Sequence, residues 1–191
     1  MGFNCGSTFG ISGSKWKYAS RAAVVTINGS IGGGIWSILY SYKLTKVFQG
    51  KLDIPTFISG VLGGLVSITG ISTLCKPWEG MVIGFIGGAV ATYGSRLLKH
   101  LHVDDPVSCV SVHGFCGMWG MLVIPLFGKG VERDSKPYVG LFRGGGWNCI
   151  GVQVLACIVI VLWAVFTTMV QLLIVEKTIG MRMSYEVSST L

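Results

Sequence analysis

Few side chains in this sequence could do chemistry, and the most telling of them sits where a charge is hardest to place. The stretch DDPVSCVSVHGFCGMWG (104–120) puts His113 eight positions after Asp105, inside an uncharged run that reaches Gly128. A helix starting at Asp105–Pro106 has a physical reason to start there. Aspartate caps free backbone N–H groups, and proline at the first helical position loses no hydrogen bond it would have made. On that reading His113 lies roughly 12 Å along the helix, near the middle of a bilayer. Charging an imidazole there is costly, so the ring is expected neutral and hydrogen-bonded. An ionisable group at such depth marks a substrate or proton path, and the competing reading is a structural histidine bonded to a neighbouring helix.

Other arrangements are weaker. Asp104 and Asp105 could form an acid–base pair, but their place before Pro106 favours helix capping. His113-Gly-Phe-Cys116 could be half of a metal site, yet no second ligand pair at metal-like spacing accompanies it. His100 and His102 fall in a basic loop and read as solvated. No nucleophile elbow, phosphate-binding loop or HExxH motif is present, so the sequence does not read as an enzyme. The six cysteines lie mostly in apolar runs and read as small buried thiols.

The elements that must carry His113 are spans. Of 191 residues, 51% are hydrophobic and 12% charged, about half the charge of a soluble domain. Residues 22–42, 54–75, 80–95, 106–128 and 144–175 contain no Lys, Arg, Asp or Glu. A spanning helix needs roughly 20 mainly apolar residues. The expectation is an all-α polytopic membrane protein, with a membrane domain over 1–180. Its spans fall at about 20–42, 54–75, 78–98, 106–128 and 146–178, and a tail begins at 181. Trp16, Trp78 and Trp147 fall at span ends, where interfacial aromatics gather. The last run is too long for a straight crossing and is expected to tilt or project.

Glycines recur at four-residue spacing within the spans: Gly29 and Gly33, Gly60 and Gly64, then Gly80, Gly84 and Gly88. Such rows strip a helix face so that another backbone can approach. The net charge of +7 comes from loop residues that bracket the spans, with no basic stripe interleaved with aromatics, which speaks against nucleic acid. Alternating loops divide the 15 Lys and Arg seven against eight, so the positive-inside rule gives no orientation. Residues 1–14 are uncharged but Gly- and Ser-rich, without the features of a signal peptide. The chain reads as beginning inside an element.

DDPVSCVSVHGFCGMWG resembles the signature helix of ammonium transporters, roughly D-D-P-x-x-x-x-x-V-H-G-x-C-G-x-x-G. GFNCGST (2–8) is similar to that family's G-F-N-x-G-S motif, and IGMRM (179–183) to the G-L-R-V closing its last span. GLFRGGGW (140–147) and TFISGVLGGLVSIT (56–69) also fit, so the resemblance covers nearly the whole chain in order. VSVHGFCG favours the ammonium-transporter branch over the Rhesus-protein branch.

The resemblance implies the second half of an eleven-span inverted-repeat channel fold, from the tail of span six through spans seven to eleven. It further implies homotrimers with one pore per subunit, a multi-pass location in the plasma membrane, and a cytosolic C-terminus. By the same resemblance His113 corresponds to the second of two pore histidines, and Phe3 to one of two stacked phenylalanines at the outer mouth. Ser7 corresponds to a vestibule serine, Thr69 to a threonine near the pore, and Asp105 with Pro106 to a structural helix start. The implied substrate is ammonium or ammonia, with methylammonium as analogue, in a surround of membrane lipid and with no cofactor. Ammonium would give up its proton, and neutral ammonia would cross an apolar path lined by histidine. The partner histidine, the other phenylalanine, a vestibule tryptophan and an ammonium-site aspartate belong to the family's first half. The sequence is therefore expected to be a fragment that does not conduct alone. Its alternative role is a truncated protein that associates with and regulates full-length subunits.

Overall fold

The computed structural model describes residues 1–44, 52–130 and 139–181. Six α-helices follow in chain order: α1 (Gly2–Gly6), α2 (Lys15–Leu39), α3 (Ile54–Ile68), α4 (Pro77–His100), α5 (Cys116–Phe127) and α6 (Asn148–Thr178). Two π-helical turns interrupt the pattern, Tyr40–Leu44 after α2 and Val110–Phe115 before α5. No strand occurs among the described residues, which carry one isolated bridge between Lys129 and Val139. The chain divides into two compact units, Met1–Gln153 and Val154–Leu191.

Among the described residues, four helical stretches are long and apolar enough to cross a membrane: Lys15–Tyr42, Pro77–His100, Val110–Phe127 and Asn148–Thr178. The element expected over 54–75 differs. Its helix stops at Ile68 after 15 residues, about 22 Å at a helical rise. The chain then tightens into i→i+3 bonds, Thr69 N–H to the Val66 carbonyl and Ile71 N–H to that of Ile68. Gly70 sits at the change. The apolar run thus continues beyond the helix, so composition alone overstated its length. Aspartate and proline still mark the start of α3. Asp53 accepts from the Thr56 N–H and hydroxyl, with Pro55 in the first turn.

Helices α2, α3 and α4 pack on one another through their glycine rows. A Cβ on Gly33 would overlap the Gly60 carbonyl of α3, and one on Gly84 would overlap the Gly29 carbonyl of α2. A Cβ on Gly88 would lie 2.8 Å from the Gly33 carbonyl oxygen. Between α3 and α4, a Cβ on Gly63 would fall 2.9 Å from the Gly87 carbonyl oxygen. Backbone therefore meets backbone along all three contacts, the small-residue packing expected of apolar helices in lipid.

Hydroxyls within this seam bond one turn back along their own helices. Ser37 donates to the Gly33 carbonyl, Ser67 to that of Gly63 and Thr92 to that of Gly88. No buried hydroxyl on these helices then needs water. Below the seam Val25, Ile68, Ile71, Ile83 and Val123 form an apolar core, with Trp119 against it and its indole N–H on the Ile83 carbonyl.

Helix α6, most of which belongs to the second unit, is apolar around its whole circumference. Its 31 residues span about 46 Å. It ends where Gly180 takes φ +80°, while Met181 N–H donates to Glu176.

Candidate functional site

An apolar cleft of about 610 Å³ opens in the first unit. Three of the four pore residues expected from the sequence line it: Phe3, Thr69 and His113. They come from widely separated parts of the chain, and helical periodicity explains why each element contributes a face. From α5 and its π turn come His113, Gly117, Gly120, Met121 and Ile124, spaced at three and four residues. Leu65, Val66, Thr69 and Gly70 come from the end of α3, Thr26 from α2, and Met1, Phe3 and Asn4 from α1 and its cap.

His113 is exposed to this cleft. It stands in the π-helical turn Val110–Phe115, whose wider winding alters the side-chain register just before α5. The neighbouring groups fix the helix around it. Val112 and Cys116 are buried against Ala91, and the Cys116 thiol donates to the Gly87 carbonyl at 3.3 Å. Gly94 lets the Phe115 ring lie against α4.

The helix start differs from the expected one. Pro106 is not the first helical residue; residues 106–107 form an exposed turn, followed by Ser108 at φ +55°. Helix begins at Cys109–Val110, so His113 lies about 6 Å along it, half the distance expected. Asp105 caps this later start. Its carboxylate reaches over the turn and accepts from the Val110 N–H at 3.2 Å, the Ser111 N–H at 3.1 Å and the Ser111 hydroxyl at 2.9 Å. It caps the helix from across the intervening turn. Partial burial alone would raise this carboxyl, but the donors from Ser111, Val110 and Cys109 outweigh it and hold it below its ordinary value. Asp105 and Pro106 line a separate cleft of about 380 Å³ with Tyr40, Arg96 and Lys99. The Arg96 guanidinium stacks 5.2 Å from the Tyr40 ring centroid.

Ser7 is not brought into the apolar cleft. It caps α1, and its hydroxyl donates to the Phe3 carbonyl at 2.8 Å. Thr69 lines the cleft but donates its proton to the Leu65 carbonyl.

Sequence reasoning missed two features. Asn4 and Thr26 supply the cleft's buried polar wall, the Asn4 amide donating to Thr26 at 2.9 Å. Asn4 was legible only as the neighbour of Phe3 within GFNCGST. The second is Glu79, which lay in the flank of a span and is buried in an ion pair with Arg143. Their separation in sequence left no signal. No cluster of three or more His, Cys, Asp or Glu able to hold a metal occurs among the described residues.

Comparison with known proteins identifies the chain's relatives. The model of the Ammonium Transporter Family matches residues 1–190. A putative ammonium transporter 3 of Caenorhabditis elegans is 34% identical over 188 residues, covering 96% of this chain and 27% of that protein. The ammonium transporter Amt2 of Archaeoglobus fulgidus is 32% identical, covering 97% of this chain and 39% of that protein. Among solved structures, a Sensor Amt Protein superposes with a TM-score of 0.82 at 27% identity over 97% of this chain and 42% of its own. Saccharomyces cerevisiae Mep2, at 23% identity and a TM-score of 0.78, shares the fold. The chain thus spans well under half the length of these relatives. This multi-pass, mainly helical membrane chain belongs to the Ammonium Transporter Family.

Proposed function

We propose that this chain forms one wall of a path for ammonium and ammonia, with Phe3, Thr69 and His113 along it. The observation that carries the reading is their convergence on one apolar cleft from three separate elements. An apolar wall opposes a full charge, whose desolvation costs several kcal/mol or more. Neutral ammonia has no such barrier, so a proton released before the apolar stretch lowers the cost of crossing. The Phe3 ring can meet an incoming cation through its π face. Ser7, outside the cleft, keeps hydroxyl lone pairs that can accept from a cation before it enters. His113, neutral, offers one ring nitrogen as acceptor and the other as donor, which suits a group that receives and passes a proton.

In this reading the other wall comes from sequence present in the longer relatives, and the complete protein is a homotrimer of the plasma membrane with its C-terminus in the cytosol. The matching segment of the Archaeoglobus fulgidus relative is replaced by this chain, and methylammonium uptake is measured in cells lacking their own transporters. Saturable uptake by the chimera, lost on His113→Phe while the protein still reaches the membrane, is the expected result. A chimera that assembles and takes up methylammonium equally well with phenylalanine at 113 overturns the role of His113.

A further inference from the structure

Asn4 is the buried side chain of the cleft with a hydrogen-bonding atom left over. It is 6% exposed and Thr26 only 2%. The Thr26 hydroxyl has one proton, and it goes to the Ala22 carbonyl at 2.6 Å. Toward Asn4, 2.9 Å away, Thr26 Oγ1 can therefore only accept. That fixes which way the amide points: its NH2 faces Thr26 and its Oδ1 faces elsewhere. Among the described residues Oδ1 accepts no hydrogen bond, although it is not among the sealed polar atoms of the interior. Asn4 lines the cleft, so its amide oxygen is open to water or to a bound N–H donor there.

An amide oxygen accepts and never donates. Ammonium has N–H donors on every side and no acceptor, so an oriented, acceptor-only atom in an otherwise apolar cleft suits it. We infer that Asn4 Oδ1 accepts an N–H of ammonium or methylammonium in this cleft, with Thr26 as the positioning residue that turns the amide toward it. The inference rests on the reading of the cleft as an ammonium path.

The test separates the two. The purified chain in lipid nanodiscs carries 15N in asparagine and histidine, three residues of each type. Methylammonium chloride is titrated against potassium chloride at matched ionic strength, and the NMR signals of the Asn4 amide and the His113 ring are followed. Asn4→Leu and His113→Phe assign the signals. Saturable shifts at both residues with methylammonium, absent with potassium, are expected. Thr26→Val should weaken methylammonium binding about 2- to 10-fold, the loss of one oriented hydrogen bond, with helix content unchanged, and Thr26→Ser should restore it. A response at His113 with none at Asn4 overturns the inference and leaves the ammonium path standing. No response at either overturns both. An equal response to potassium, or unaltered binding in Thr26→Val, overturns the specific role of the oriented amide.

Discussion

One terminal nitrogen of Arg143 lies 2.8 Å from Glu79 Oε1 and 2.7 Å from Oε2, joining the start of α4 to the 3-10 turn that precedes α6. Both partners are further engaged. Arg143 Nε donates to the Phe127 carbonyl at 2.8 Å, and Glu79 accepts from the Lys76 N–H at 2.7 Å. The Phe127 and Phe142 rings meet edge to face beside them. The pair thus clamps the end of α5 and the N-terminus of α4 at one point.

Breaking that pair from one side leaves a buried charge without a partner. Arg143→Ala is expected to cost about 3–5 kcal/mol. Arg143→Lys keeps the charge but loses the planar fork and should recover only part of it. Denaturant titration of the purified chain reads both. An Arg143→Ala chain as stable as the parent would mean that the clamp contributes nothing.

The glycine seam sets the spacing of three helices. Gly84→Ala places a methyl group against the Gly29 carbonyl, and overpacking of this kind costs about 1–3 kcal/mol. Gly151→Ala meets nothing within 4 Å and should instead raise stability by about 0.5–1 kcal/mol through helix propensity. Equal effects of the two substitutions would show that close backbone approach is not what selects glycine.

Asp105 makes the helix before His113 sensitive to acid. Its carboxyl is lower in the folded chain than its ordinary value of 3.8, so its contribution is complete above that value. The contribution is lost as the pH falls through and below it. Thermal unfolding compared between the parent and Asp105→Ala should show a gap of about 0.5–2 kcal/mol near neutral pH. That gap should narrow only as the pH falls below 3.8. A gap that widens on acidification would reverse the sign and remove the capping account.

Phe3 and His113 separate binding from passage. In the chimera with the Archaeoglobus fulgidus relative, Phe3→Ala should raise the methylammonium concentration for half-maximal uptake severalfold, as about 0.5–2 kcal/mol of cation–π attraction is lost. His113→Phe should lower the maximal rate instead. A shared effect on the same constant would argue that both residues act only through packing.

Much of this was legible in the sequence because composition and helical period act locally. The uncharged runs overlap α2, α4, α5 and α6, and glycines at four-residue spacing lie where α2, α3 and α4 approach one another. Length was less legible. The run over 54–75 stays apolar past Ile68, yet its backbone tightens into turns at Thr69 and Gly70, and hydrophobicity does not distinguish the two. The start before His113 misled for another reason. Aspartate followed by proline favours a helix at once, but the carboxylate found better donors at Val110 and Ser111. Glu79 with Arg143 and Asn4 with Thr26 were hidden because pairing across 64 and 22 positions leaves no periodic trace.

A seam built of bare backbone has no rotamers to rearrange. Where Gly29, Gly33, Gly60, Gly64, Gly84 and Gly88 touch, the helices can neither trade one side-chain packing for another nor absorb a mutation by local repacking. The α3 wall of the cleft is anchored to that seam, and so is inherited as a fixed part. Adaptation of the cleft to a bulkier or smaller visitor must therefore come from the side chains that face it, Leu65, Met121 and Ile124, while the framework behind them tolerates almost no change of sequence.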